Sequence, residues 1–134
     1  SLNRISMETA RESNPIATVL AALFKAYRHA LEADRESTAL NVAKTNKAAF
    51  LERYQLDFLD EETIKGALAR DLFIAIKRLA KDFGLSFHMN SVQQFAQRFS
   101  NDLDTIREAG FNIMINRPSH SVRRTATYDI TYIA

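Results

Sequence analysis

"SVQQFAQRFSNDLDTIREAGFNIMIN" (Ser91–Asn116) changes its period part-way along. Val92, Phe95, Phe99, Leu103 and Ile106 are spaced by three, four, four and three residues, which puts them on one face of a helix. Gly110 closes that pattern. Phe111, Ile113 and Ile115 then alternate with polar or smaller neighbours, as in a strand with one buried face. A second alternating run, Tyr128, Ile130 and Tyr132, returns after "RPSHSVRRTA" (Arg117–Ala126) and makes a hairpin. A two-stranded ribbon is marginal alone, so its apolar face must pack on helices.

Upstream the chain is helical in pattern. "SNPIATVLAALFKAYRHALEAD" opens with Asn14 as N-cap and Pro15 in the first turn, and Ile16, Leu20, Leu23, Tyr27 and Leu31 follow at helical spacing. A second helix is expected from about Thr38 to Gln55, with Leu40, Ala43, Phe50, Leu51 and Tyr54 as its apolar members. "DEETIKGALARDLFIAIKRLAKDFG" (Asp60–Gly84) predicts a third, with Ile64, Leu68, Leu72, Ile76, Leu79 and Phe83 on one face. Its acids Asp60–Glu62 suit a helix start and Gly84 a left-handed stop. "LSFHM" is a short turn, and the fourth helix runs from Asn90 or Ser91 to Gly110. The fold class is therefore mainly α with a C-terminal β-hairpin. Residues 1–13 are expected to be flexible and 14–134 to form one domain, with N-terminal helices over 14–61. The chain opens on Ser1, with Met7 available as a start, so Ser1–Ser6 reads as a cloning remnant or the chain as a domain of a longer protein.

Composition narrows the function classes. With 134 residues, 46% hydrophobic and 25% charged, the chain has the makeup of a globular domain. It contains no cysteine, which removes disulfides, thiolate zinc sites and thiol catalysis. The apolar run "IATVLAALF" stops at Lys25, too short to span a bilayer, and "SLNRISMETARES" lacks the apolar core of a signal peptide. No membrane partner and a cytoplasmic location are the corresponding expectations. His29, His88 and His120 stand apart from one another and from metal-ligand spacing, and the only glycines, Gly66, Gly84 and Gly110, form no phosphate cradle. No catalytic set, metal site or cofactor is therefore expected.

What remains is a distribution of polar groups. With Val92, Phe95 and Phe99 facing the core, the outward set near the start of the fourth helix is Asn90, Ser91, Gln93, Gln94, Gln97 and Arg98. Asn and Gln can pair bidentately with adenine, and Arg with guanine, in a major groove that admits a helix. The acids Asp104 and Glu108 fall in the last two turns. The hairpin tip carries Arg117, Ser119, His120, Ser121, Arg123, Arg124 and Thr125 and no acid. Arginines and hydroxyls there suit phosphate oxygens. An ordinary solvated helix face and a solvated turn are the alternatives. Lys44, Thr45, Asn46 and Lys47 form a rival basic run, better read as the start of a surface helix.

A helix, a turn, a second helix ending in "REAGFNI" (Arg107–Ile113) and a basic hairpin together resemble the winged helix-turn-helix DNA-binding domains. The resemblance covers about Glu62 to Ala134. "SVQQFAQRFSNDLDTIREAGFNI" is also similar to the C-terminal helix of some phage and plasmid primase-helicases and replication initiators. The resemblance implies a winged helix with additional N-terminal helices, acting on double-stranded DNA in replication, partition or transcription control. The N-terminal helices would then serve core packing, a homodimer or docking on a larger replication or regulatory protein. The competing expectation is a protein–protein interaction module of the same fold that touches no DNA.

Overall fold

The computed structural model describes residues 9, 13–37, 44–118 and 125–133. Helix α1 (Pro15–Glu36) starts as its sequence dictates: Asn14 is extended, and its side-chain oxygen accepts the Ala17 N–H at 3.0 Å. Of the segment expected to be flexible, Thr9 and Ser13 are described, and both have helical backbone. Ile16, Leu20, Leu23, Phe24 and Tyr27 are buried, so most of the apolar stripe of α1 packs inside the molecule, with Leu31 half-buried at its end. Phe24 stacks on Tyr132 at 5.4 Å, and Tyr27 stacks on Phe58 at 4.0 Å.

Helix α2 (Asn46–Tyr54) is shorter than expected. The positions of Leu40 and Ala43 lie outside the described residues. Its start is fixed twice, by the Thr45 hydroxyl on the Ala48 N–H and by Asp34 of α1, which accepts the N–H groups of Asn46 and Lys47 at 2.8 and 2.9 Å. Those bonds, the one from Lys47 foremost, hold the Asp34 carboxyl below the usual carboxylate range. The rival basic run is thus the start of a surface helix, with Lys44 paired to Glu52.

The third element departs most from expectation. "TIKGAL" is a strand, β1 (Thr63–Leu68), and helix α3 (Ala69–Phe83) begins only after it. Ile64 and Ala67 are buried, so the strand faces the core at both ends of a bulge. Gly66, at φ +63°, supplies the left-handed residue the bulge requires. Asp60–Glu62 consequently do not stand at a helix start. Asp60 accepts the Glu62 N–H at 2.7 Å, Glu61 pairs with Arg35, and Glu62 meets Arg28 at 3.3 Å. Phe83, the last residue of α3, is exposed although its spacing predicts the buried face, whereas Leu72, Ile76 and Leu79 are fully buried. Gly84 ends α3 at φ +66° as expected.

The fourth helix is also broken. Helix α4 (Val92–Asn101) stops at Asp102, and a short α5 (Leu103–Glu108) follows. Strands β2 (Phe111–Asn116) and β3 (Thr127–Tyr132) pair antiparallel in the register Ile113↔Ile130 and Ile115↔Tyr128. β1 joins the other side of β3, so the hairpin becomes a three-stranded antiparallel sheet in the order β1-β3-β2. Ile113, Ile130 and Tyr132 point into the core, and Ile115 is half-buried. The result is a helix-rich fold of mixed α and β structure ending in a hairpin. No helix among the described residues is long and apolar enough to cross a membrane.

Candidate nucleic-acid interface

Helix α4 owes its orientation to two phenylalanines. Phe95 and Phe99 are 1% exposed, and Phe99 meets Tyr128 of β3 edge-on at 5.2 Å. Phe95 packs on Phe73 of α3 at 5.6 Å. These contacts turn Gln93, Gln94, Gln97 and Arg98 to solvent, in the register expected from the spacing, with Asn90 exposed just before the helix. Met89, Gln93, Gln94, Gln97, Arg98 and Asn101 line a shallow depression on that face. Asn101 was not singled out from the sequence, although it follows Gln97 by four residues and so shares its side of the helix.

Hydrogen bonding divides the exposed set. Ser91 caps α4 by accepting the Gln94 N–H at 3.1 Å, while the Gln94 carboxamide reaches back to the Asn90 N–H at 3.0 Å. This is a capping box shifted by one residue. The Ser91 hydroxyl and the Gln94 carboxamide oxygen are therefore engaged in starting the helix, and Asn90 takes part through its backbone N–H. Arg98 donates through Nε to Asp102 at the end of α4. Among the described residues, the side chains of Gln93 and Gln97 have no hydrogen-bond partner. No carboxylate stands on α4 itself before Asp102, so its first two turns offer amide donors and acceptors and one guanidinium.

Neighbouring elements add positive charge. Arg70 and Lys77 lie exposed on α3, Lys77 over the Phe73 ring at 5.4 Å and Arg70 beside Asp71 at 3.6 Å. Past α4, Arg107 donates to the Ile113 carbonyl at 3.0 Å and so covers part of the outer edge of β2. At the hairpin, Arg117 and Thr125 are exposed on the two sides of the tip. Ser119, His120, Ser121, Arg123 and Arg124 lie outside the described residues. The acid of the hairpin, Asp129, is occupied: it accepts the Gly66 N–H at 2.7 Å and the Asn116 carboxamide at 3.1 Å. Those two bonds, the Gly66 one first, hold its carboxyl below the usual range.

Such a surface can meet a groove edge with carboxamides and a phosphate with cations. Among the described residues no three His, Asp or Glu side chains come together where they could hold a metal ion. Compared with known protein families, curated proteins and solved structures, the chain matches none.

Proposed function

We propose that this chain is a DNA-binding module of the winged helix-turn-helix class. In it α4 lies in the major groove and the β2–β3 hairpin is the wing. One observation carries the reading: the face of α4 turned to solvent by Phe95 and Phe99 presents Gln93, Gln97 and Arg98, and no acid before Asp102, which pairs with Arg98. The order of elements supports it, since α3, a turn and α4 are followed directly by a hairpin, with β1 as the third strand of the sheet. Arg117, Arg123, Arg124 and Thr125 then grip phosphates beside the site, in the service of replication, partition or transcription control of a mobile element. The module has no catalytic activity of its own.

The test is binding to random-sequence duplex over a range of salt. Each phosphate contact contributes roughly 0.9 to the log–log slope, so removing Arg123 and Arg124 together flattens it by about two while weakening all sequences alike. An unchanged slope makes the tip a solvated loop. A wild-type chain with no salt-dependent affinity for duplex overturns the reading.

A second reading, a protein-docking module, has one observation in its favour. The outer face of the sheet exposes Met114, Ile133 and the adjoining Leu59 at 60–64%, around Thr63, Asn112 and Thr131. Loss of a protein partner on Met114→Lys, with DNA affinity absent throughout, favours that account.

A further inference from the structure

We infer that Asp102 and Asn14 hold Arg98 as a guanine reader, an inference that rests on α4 being the recognition helix. Arg98 is half-exposed and engaged by Nε alone, so among the described residues Nη1 and Nη2 have no partner. The same Asp102 Oδ2 that takes Nε also accepts the Asn14 Nδ2 at 2.9 Å. Asn14 cannot drift, because it is 4% exposed and its Oδ1 is bonded to the Ala17 N–H. A chain of three side chains thus runs from the N-cap of α1 to the outer face of α4.

The geometry suits a base more than a phosphate. A guanidinium has five donors in a planar fork. Taking the Nε side leaves the two terminal nitrogens free to meet O6 and N7 of guanine side by side, the commonest specific arginine contact. Fixing Nε in advance lowers the ordering cost that a long side chain otherwise carries on binding. Charge points the same way. Beside the Asp102 carboxylate, Arg98 adds almost no net attraction for a polyanion, so the pair yields discrimination without general affinity. Gln97 and Asn101 border the same depression and would meet the neighbouring bases.

The experiment selects from a pool of duplexes with a randomised centre and measures affinity for random duplex in parallel. The wild-type chain should select a G·C pair at one position. Arg98→Ala should lose that preference by about five- to 150-fold, the range for a lost bidentate contact. Asp102→Asn should lose roughly fivefold at that same position, while its affinity for random duplex holds or rises because a negative charge has gone. The double variant should lose no more than Arg98→Ala alone. Asn14→Ser keeps an oxygen to cap Ala17 but removes the donor to Asp102. It should relax the same position, and it guards against Asp102→Asn merely melting, which a thermal scan reports. Unchanged preference in both Asp102→Asn and Asn14→Ser overturns the inference, as does a uniform loss across the pool in Arg98→Ala. A wild-type chain that grips duplex with no preference overturns it while leaving DNA binding intact; one that binds no duplex overturns the proposed function itself.

Discussion

Two corners of this molecule set an arginine against an aspartate, and they use it differently. Between α2 and α3, Arg53 meets Asp82 with both Nε and Nη2, at 3.0 and 2.8 Å, and the Tyr54 hydroxyl donates to the same carboxylate at 2.8 Å. Arg78 adds a bond to the Arg53 carbonyl at 3.1 Å. The fork is closed, and its job is to join two helices. At the end of α4, Arg98 meets Asp102 with Nε alone. That fork is open. One residue pairing therefore serves as a fastener in one place and a presenter in the other, and only the count of engaged nitrogens tells them apart.

The largest expected effect tests what lies beneath the open corner. Phe99→Ala removes a fully buried ring and should cost about 3–5 kcal/mol in chemical denaturation, so that stability and DNA affinity fall together. If affinity alone falls, Phe99 contributes something other than support.

Asp82→Asn should act on stability only, lowering Tm by several degrees and leaving base preference unchanged. Its pH signature is specific. The Arg53 guanidinium first, then Tyr54, hold the Asp82 carboxyl below its ordinary value of 3.8. The folded chain thus binds fewer protons there than the unfolded one, and the stabilisation is present above that value and lost as pH falls through the depressed one. Stability curves of wild type and Asp82→Asn should converge in acid below about pH 3.8. Burial first, and then the bond to Asp82, push the Tyr54 phenol up to about 12. Its stabilisation is present below pH 10 and fades towards 12. In Asp82→Asn its ultraviolet titration should move partway back towards 10, because the effect of burial stays.

Gln97→Ala should have the smallest effect. The side chain is exposed, so stability should stay within about 0.5 kcal/mol, and selection should relax at one base pair next to that read by Arg98. A stability loss well beyond that would mean Gln97 is structural, and the contrast between the two corners would shrink.

Local signals in the sequence were legible and long-range ones were not. Asn14 and Pro15 announced α1, Gly84 and Gly110 announced two stops, and the three–four spacing of Val92, Phe95 and Phe99 set the outward face of α4. β1 was misread because Ile64 and Leu68 fall at spacings of four from Leu72, which mimics a helix, and six residues give too few alternations to contradict it. Its partner β3 lies more than sixty residues along the chain, as in the pair Ile64↔Ile130. Gly66 was the available clue, since a lone glycine in a possible strand signals a bulge. The break at Asp102 had a weaker sign in the run Ser100, Asn101, Asp102, all poor helix formers. The Arg98–Asp102 pair could be read from its spacing of four, but Asn14, 88 positions away, could not.

The strand order has a consequence for assembly. β3 is the middle strand of the sheet, yet it follows both of its neighbours in the chain. β1 and β2 do not bond each other in this sheet, so neither has a strand partner until β3 is in place. The helices can dock early, because their contacts are mostly local, whereas closing β1 on β3 requires the loop of the whole intervening segment. A chain cut before Thr127 would therefore keep its helical segments but have no sheet, because the strand that both others bond would be missing.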